Sequence, residues 1–412
     1  MGKEDILKRV ISLSSRHGYI YGSKQLNPAG VGGCYDYGPL GVELRSNLIN
    51  EWWTEIVRSR EHIVGVQNAI LQRMPSLDRQ ENLHDSVDGL PLSPSLQVRC
   101  VDPGEKAEGE TCLQNDLHQG TFAHFSNTLG LLHRRLPFGL AQIGPCFRSR
   151  PSSDGDSSRF IFSAVERTEM ALHFFSTPKT STLWFDTWQK ERLLWWRKFA
   201  GVPSGFTATD IKTAGHVQWA EIQFTFPWGV DTIERIANHG STPVERLQAE
   251  SKTDLQGKDG RKMVIPHLIE TTSSLEAGLL ALLLDAYQEK SRTDTRGKAV
   301  VREILRLHLR LAPLKVVVLP LRGTRELREL CDYLGKEFRK AGINIRCILE
   351  MAPSLENYYT MFDEMGVPFT ILLNENTVKT GIVRVRNRDT TLMQQLHITE
   401  VRDMIQRHLE AD

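Results

Sequence analysis

The segment from residue 311 to 412 constrains the fold most, because strand-like and helix-like patterns alternate along it. Apolar runs occur at 314–321, 344–350, 368–375 and 381–387, and helical patterns occur at 324–342, 354–365 and 398–410. Strands that alternate with helices form βαβ units. The sequence therefore predicts a separate C-terminal α/β domain over residues 311–412, with a largely parallel sheet.

The rest of the chain divides into a core and an insertion. Residues 1–72 and 121–310 combine helical segments with alternating strands such as "WAEIQFTFPW", so we expect them to form one core domain. Residues 73–120 are rich in Pro, Gly and charge and have weak periodicity. We expect a surface insertion there, partly mobile or related to dimer formation.

Composition excludes several classes of protein. Apolar residues make up 40% of the chain and the net charge is +1, so nucleic-acid binding would depend on local basic patches. The sequence has no run of about 18 apolar residues that would span a membrane. Its six cysteines contain no C-x-x-C pair, so we expect reduced thiols, an intracellular compartment and no metal site.

Two groups of residues that suggest chemistry have simpler explanations. Tryptophans at 184, 188, 195 and 196 follow helical spacing, which favours core packing over base stacking. His267 and Glu270 are three residues apart on a predicted strand and so point to different faces. We interpret these two residues as remnants of an ancestral pocket.

Three basic segments are candidates for anion or partner contacts. The loop "CFRSRPSSDGDSSRF" carries Arg148, Arg150 and Arg159, and is either a solvated hairpin or a contact for a protein partner. "GKDGRK" places Lys258, Arg261 and Lys262 on a turn. The connector 290–310 is the third segment, and its candidate phosphate contacts are Arg292, Arg296, Lys298, Arg302 and Arg306.

We predict a helix for the later part of this connector. Arg302, Arg306 and Arg310 would then share one face at i, i+4 and i+8 spacing, either as a solvated face or as a DNA contact.

In the C-terminal domain, the sequence indicates a rim of exposed residues that is either solvated or free to dock a protein. Its members are Arg322, Arg325, Gly381, Arg384, Arg386 and Arg388.

Four separated blocks resemble glycyl-tRNA synthetases, which are class II aminoacyl-tRNA synthetases. They are "ILKRVISLSSRHGYIYGSKQL" with "GGCYDYGPLGVELRSNLINEWW", "AQIGPCFRSR", "IPHLIETTSSLEAGLLALL", and "LENYYTMFDEMGVPFTILL" with "GIVRVRNRDTT". The resemblance implies an α+β fold: an antiparallel synthetase-like core followed by an anticodon-binding-like α/β domain.

The positions that hold ATP in that family are altered here. Arg148 matches the family's arginine, but Arg150 stands where a glutamate is expected, and Arg167 stands in the place of the adenine-stacking aromatic. Ser274 and Ala277 replace the glycine and arginine of the third motif. Losing two charge-assisted hydrogen bonds removes roughly 3–6 kcal/mol, about 10²–10⁴ in rate or affinity. The resemblance therefore implies that adenylation is lost and that no cofactor is needed.

The segments "LLWWRKFAGVPSGF", "FTFPWG", "GKDGRKMVIP" and "VRNRDTTL" resemble the family of accessory subunits of mitochondrial DNA polymerase gamma. That resemblance implies a non-catalytic processivity factor that binds a polymerase catalytic subunit and double-stranded or primer-template DNA. It also implies a mitochondrial location and a homodimer. The alternative is an active or regulatory glycyl-tRNA synthetase-like protein that binds tRNA.

Overall fold

The fold is taken from a computed structural model. It describes residues 3–26, 32–73, 97–98, 111–147, 154–293, 299–349 and 354–411. Arg148, Arg150, Arg296 and Lys298 lie outside these ranges. Arg292 lies within a strand, but its side chain is not described. Within the described ranges, every helix is too short or too polar to cross a bilayer.

Eleven α-helices occur in the described residues. They are α1 (Lys3–Arg16), α2 (Ser23–Leu26), α3 (Pro39–Trp53), α4 (His118–Leu131), α5 (Ser181–Lys198), α6 (Thr242–Ser251), α7 (Leu275–Ala286), α8 (Arg325–Lys340), α9 (Leu355–Glu364), α10 (Glu375–Thr380) and α11 (Ile398–Ala411). A π-helical turn, Thr54–Arg58, extends α3, and 3₁₀ turns occupy Asp154–Ser163 and Pro203–Gly205.

The described strands form six sheets. Those that precede residue 311 are β1 (Ile20–Gly22), β2 (Tyr35–Tyr37), β3 (Ile63–Gly65), β4 (Leu71–Arg73), β5 (Gln97–Val98), β6 (Thr111–Leu113), β7 (Phe138–Phe147), β8 (Glu166–Ser176), β9 (Phe206–Ala208), β10 (Lys212–Ala214), β11 (Val217–Phe226), β12 (Gly229–Gly240), β13 (Gly257–Asp259), β14 (Lys262–Val264), β15 (His267–Ser274), β16 (Tyr287–Thr293) and β17 (Ala299–Leu305). The C-terminal strands are β18 (Val316–Pro320), β19 (Ile345–Cys347), β20 (Phe369–Leu373), β21 (Ile382–Asn387) and β22 (Met393–His397).

An eight-stranded sheet organises the core, in the order β10-β11-β12-β15-β8-β7-β3 with β9 paired to β11. Every pairing in it is antiparallel except β3 with β7. Helices α5 and α7 pack on one face, and α4 and α6 pack against the other. The predicted antiparallel α+β core is confirmed.

Helix α5 carries the predicted core tryptophans. Trp188, Trp195 and Trp196 are buried, which confirms core packing. Arg192 lies between them and donates to both oxygens of Glu234, at 2.7 and 3.1 Å. The Trp196 indole N–H also donates to this carboxylate, at 2.6 Å. The buried charges are therefore paired and hydrogen-bonded, as burial in a low-dielectric interior requires.

The C-terminal sheet has the order β19-β18-β20-β21-β22 and is mixed rather than largely parallel. Strand β18 pairs in parallel with β19 and β20, whereas β21 and β22 are antiparallel. Only the short α10 and the left-handed Gly381 connect β20 to β21. A parallel crossover needs about a dozen or more residues, so this connection reverses the chain.

The connector predicted as a helix is instead the antiparallel hairpin β16–β17, so that prediction was wrong. Helix α7 ends at Ala286 and Tyr287 is extended. Strand pairing is favoured by the β-branched residues of β17 and by the Tyr287 hydroxyl, which donates to Glu289 and Glu303 on the two strands, at 2.8 and 3.0 Å. Arg302 and Arg306 therefore do not share a helical face.

Candidate functional site

One face of the central sheet carries residues that we predict to derive from a synthetase pocket. Strands β8 and β15 pair with Glu270 opposite His173 and Ser274 opposite Glu169. Since side chains alternate along a strand, these residues project to the same face. This face, rather than the apolar face packed on α7, is the candidate ancestral site.

The centre of this face is a polar cluster around Glu270. Glu270 Oε1 lies 3.2 Å from His173 Nε2 and 3.3 Å from His118 Nδ1, and Oε2 lies 2.8 Å from His239 Nε2. Burial alone would raise the pKa of Glu270, but the charge of His118 and the hydrogen bonds from His118, His173 and His239 hold that pKa well below its ordinary value. Sequence reasoning identified Glu270 and missed the histidines.

His267 does not belong to this cluster, because its Nδ1 lies 3.2 Å from the Ser181 hydroxyl. This confirms that His267 and Glu270 do not form a pair on one face. Burial lowers the pKa of His267. The only signal for the true partners was the presence of histidines on other predicted strands and at the start of a helix.

The start of α7 contains Ser274 and Ala277, two of the positions at which we predict that ATP contacts are lost. The Ala277 N–H donates to the Ser274 hydroxyl at 3.3 Å, so Ser274 caps the helix. Ala277 is buried and its methyl group carries no charge. Glu276 is also buried and accepts the Thr168 N–H at 2.8 Å. These contacts stabilise the helix terminus and supply no cation.

Arg167, the third described residue of the predicted ATP-site positions, is paired inside the protein. Its guanidinium forms an ion pair with Glu169 on the same strand. Burial raises the pKa of Glu169, although the Arg167 charge opposes that effect. The guanidinium is therefore committed to an internal carboxylate.

The β13–β14 hairpin presents a basic patch. Lys258, Arg261 and Lys262 are exposed on it, as predicted for a turn. The Lys258 N–H donates to the Arg134 carbonyl at 2.6 Å, and this pairing brings the exposed Arg135 beside the hairpin. We call Arg135, Lys258, Arg261 and Lys262 the hairpin patch.

The described arginines of the connector are paired with carboxylates. Arg302 contacts Glu356 at 2.6 Å, and Arg306 contacts Asp389 at 3.0 Å. Arg310 contacts Glu51 at 3.3 Å. Their positive charges are compensated locally, which makes them weaker candidates for phosphate contacts than the hairpin patch.

The prediction that the C-terminal rim residues are exposed is wrong for two of the arginines. Arg386 and Arg388 are only 5% and 3% exposed. Arg386 donates to both oxygens of Asp363, at 2.7 and 2.9 Å. Arg388 donates to three main-chain carbonyls, those of Leu305, Gly366 and Leu307. Both guanidinium groups therefore stabilise the fold and offer no docking surface.

The other predicted contact residues differ in exposure. Arg322 is exposed and forms an ion pair with Glu375. Arg159 is half-buried, 3.2 Å from Asp231 and stacked over the Trp228 ring. Gly381 adopts φ +69°, and a Cβ there would meet the His397 ring at 2.3 Å. A substitution at Gly381 would therefore perturb the fold before it tested any interface.

The structure shows an apolar surface that sequence reasoning missed. Leu392 and Met393 are 71% and 48% exposed at the start of the edge strand β22. They border a groove of about 310 Å³ that Val385, Met404 and His408 also line. We call this the β22 groove. An exposed apolar pair beside an edge strand is typical of a protein contact.

Comparison with known proteins identifies the relatives of this chain. The Anticodon binding domain family matches residues 315–408. The mitochondrial DNA polymerase subunit gamma-2 of Xenopus laevis is 37% identical over 99% of this chain and 88% of that protein. DNA polymerase subunit gamma-2 of Bos taurus is 34% identical over 98% of this chain and 85% of that protein.

A glycine–tRNA ligase of Treponema denticola is more distant, at 27% identity over 95% of this chain and 94% of that enzyme. These matches, together with the antiparallel core and the C-terminal α/β fold, confirm the predicted relation to class II synthetases. The chain belongs to the DNA polymerase subunit gamma-2 family, which is built on a glycyl-tRNA synthetase-like fold.

Proposed function

We propose that this protein is a non-catalytic accessory subunit of a mitochondrial DNA polymerase. The observation that carries the proposal is the 37% identity to a mitochondrial polymerase subunit along 99% of the chain. In this role it binds the polymerase catalytic subunit, raises the affinity of the complex for primer-template DNA, and increases processivity.

The altered ATP site supports a role without adenylation. Ala277 and Ser274 form an internal helix cap, and Arg167 is held by Glu169. Arg148 and Arg150 lie outside the described residues and stay predictions. Catalysis of acyl-adenylate formation depends on preorganised charge around the phosphates. At the described positions, an uncharged methyl group and a neutralised guanidinium cannot provide it.

The hairpin patch supports DNA binding. Its side chains are exposed, and phosphate recognition needs clustered cations without base-reading geometry. Acidic residues nearby include Asp254 and Asp259, of which Asp254 pairs with Arg134 at 2.6 Å. The hairpin patch is therefore our main DNA-contact candidate. The connector tip, with Arg292, Arg296 and Lys298, stays a prediction.

The β22 groove is the proposed contact for the catalytic subunit. Leu392 and Met393 supply exposed apolar area, and the exposed Arg322 lies in the same domain. Protein interfaces combine an apolar centre with a polar rim. Arg159 and Gly381 stay candidate contacts for the catalytic subunit, whereas Arg386 and Arg388 are too buried to be direct contacts.

A homodimer and the domain boundaries at 73, 121 and 311 also stay proposals. In synthetases the first-motif helix pairs two copies, and here the corresponding α3 exposes Val42. Sedimentation at micromolar protein should show a mass twice that of one 46.8 kDa chain. A single-chain mass at that concentration would contradict the dimer.

Primer extension on a single-primed template tests the function. Adding this chain to the family's polymerase catalytic subunit should lengthen the products made in one binding event and reduce their sensitivity to salt. Leu392→Asp should weaken this effect, with Leu194→Asp as the control at another exposed leucine, on α5. Unchanged product length with saturating wild-type chain would contradict the proposal.

The second candidate function is a glycyl-tRNA synthetase, because the ligase of Treponema denticola matches 95% of the chain. Glycine-dependent ATP–pyrophosphate exchange separates the two functions. We expect no exchange above background. Robust exchange would establish an active synthetase whatever the primer-extension result.

A further inference from the structure

The polar cluster on the central sheet has the arrangement of a metal site. We propose that His118, His173 and Glu270 bind one divalent transition-metal ion, with Zn²⁺ as the best match. This inference is independent of the polymerase function and reverses the expectation, drawn from cysteine spacing, that the chain has no metal site. It rests on the geometry and the donor types of the cluster.

The three donor atoms form a nearly equilateral triangle. His118 Nδ1 and His173 Nε2 are 3.1 Å apart, and each lies 3.2–3.3 Å from Glu270 Oε1. Two ligands of tetrahedral zinc, each bonded at about 2.0–2.1 Å, are separated by about 3.3–3.4 Å. The triangle therefore already has nearly the dimensions of one face of a zinc coordination tetrahedron.

Hydrogen bonding within the cluster requires one particular protonation pattern. The two ring nitrogens face each other at 3.1 Å, so at least one of them must lack a proton. Glu270 Oε1 is also approached by the Thr272 hydroxyl at 3.1 Å, which makes three polar neighbours for one oxygen. A cation bound to all three donor atoms would satisfy a nitrogen lone pair on each ring and the carboxylate together.

The surroundings supply the support that a metal site needs. The Nε2 of His239 lies 2.8 Å from Glu270 Oε2, so it orients the carboxylate from outside the triangle. His173, His239 and Glu270 lie on the adjacent strands β8, β12 and β15, which fix their separation. Two imidazoles and one carboxylate are a known donor set for zinc with a fourth position for water.

Access to this fourth position is available from the side of α4. The His118 and Glu270 side chains are 28% and 18% exposed, whereas His173 is fully buried. An ion can therefore enter beside His118 without opening the sheet. The bound ion would add positive charge to the sheet face that also carries the buried carboxylate of Glu169.

The test is metal binding by the full chain, purified without a histidine tag. After dialysis against Zn²⁺ and removal of free ion, elemental analysis should find about one zinc per chain. Substitution of Co²⁺ should give the intense visible absorption of a four-coordinate site. A wild-type chain that takes up no zinc and gives no such spectrum would overturn the proposal.

The decisive variant is His118→Gln, because this residue is partly exposed at a helix start and its loss should not unfold the sheet. We expect at least a hundredfold weaker Zn²⁺ binding in competition with a chromophoric chelator, and loss of the Co²⁺ spectrum. His124→Gln, on the same helix, is the matched control and should bind like wild type. Equal binding by both variants would contradict the site.

His239→Gln separates a metal site from unspecific uptake. Loss of an outer partner that orients a ligand typically weakens metal binding 10–100-fold. Zn²⁺ should also raise the melting temperature of wild type more than that of His118→Gln, since an ion that binds only the folded state stabilises it. An equal increase in both proteins would place the ion elsewhere.

Discussion

The hairpin patch and the arginines near the domain junction look alike in sequence but differ in structure. Lys258, Arg261 and Lys262 project from a short hairpin, and the described residues contain no ion pair to any of them. Arg386 is instead buried against Asp363, and Arg306 is paired with Asp389. The first region offers charge to a ligand, while the second uses charge to hold the chain together.

This difference shows that counting basic residues over a short stretch of sequence overestimates the positive charge that is free to bind a ligand. The partners of Arg302 and Arg306 are 54 and 83 residues away in the chain. Acidic residues at such distances do not enter a count over a short window. Only the fold decides whether a basic run is compensated, so the two regions predict opposite responses to substitution.

The largest expected effect is on the buried pair. Arg386→Met should lower the free energy of unfolding by about 3–5 kcal/mol, because it leaves the Asp363 carboxylate buried without a partner. The measurement is urea denaturation followed by circular dichroism. Arg386→Met combined with Asp363→Leu should recover much of the loss, since both charges are then removed.

Arg322→Gln is the control for an exposed pair. Its partner Glu375 is exposed too, so the change should cost no more than about 1 kcal/mol. If Arg386→Met were no more destabilising than Arg322→Gln, the distinction between buried and exposed arginines would fail.

The next effect concerns the turn that makes the C-terminal sheet mixed. Gly381→Ala should destabilise the protein by about 1–3 kcal/mol, because φ +69° is strained for a residue with a Cβ. His397 must also move. Thermal unfolding measures this change, and Gly381→Ala combined with His397→Ala should keep the strain but remove the steric contact. If the double variant were as stable as wild type, the destabilisation by Gly381→Ala would come from the contact with His397 alone and not from backbone strain.

Substitutions in the hairpin patch should weaken DNA binding without lowering the stability of the fold. Lys258→Gln, Arg261→Gln and Lys262→Gln together should weaken DNA binding about tenfold or more. The slope of log affinity against log salt should fall by up to about 3, from loss of three phosphate contacts. Fluorescence anisotropy with duplex DNA over a salt series measures both quantities. The melting temperature should remain that of wild type.

The matched control replaces three compensated cations, with Arg302→Gln, Arg306→Gln and Arg310→Gln. Since each has a carboxylate partner, we expect a smaller change in DNA affinity and a lower melting temperature. A DNA defect larger than that of the hairpin-patch variant would make the connector the main DNA contact and reverse the comparison.

Much of the fold was predictable because periodic patterns are local. The tryptophan spacing of α5 and the alternation in β11 both predicted the right element, and the tryptophan spacing also predicted a core-facing side of its helix. The hairpin β16–β17 was not predictable in this way, since its arginines fit helical spacing equally well. Its strand pairing is supported by contacts from α1, including Arg9 with Glu289 at 2.6 Å.

The candidate site was less predictable than the fold. Ser274 and Ala277 were identified because they interrupt a contiguous motif. The cluster around Glu270 draws on β8, β12, β15 and α4, so its histidines are brought together only by strand order. A sequence pattern detects residues that are close along the chain, whereas the residues of this cluster are far apart in sequence.

The smallest effect is a pH dependence at the domain junction. Burial would raise the pKa of Asp389, but hydrogen bonds and charge from Arg388 and Arg306 outweigh it and lower that pKa. A carboxyl with a depressed folded-state pKa contributes stability above its unfolded pKa of 3.8, and loses it as pH falls through the folded value. Asp389→Asn should therefore be less stable than wild type at neutral pH, by up to about 1 kcal/mol for a partly exposed pair.

The stability difference between wild type and Asp389→Asn should shrink as the pH is lowered below about 4, where the Asp389 carboxyl is protonated first in the unfolded state and, at still lower pH, in the folded state. Urea denaturation at a series of pH values measures it. The hairpin-patch variant is the control, because its cations stabilise no buried contact and its difference from wild type should stay small throughout. A constant difference for Asp389→Asn across the series would mean that shape or hydrogen bonding, rather than charge, gives this residue its role at the junction.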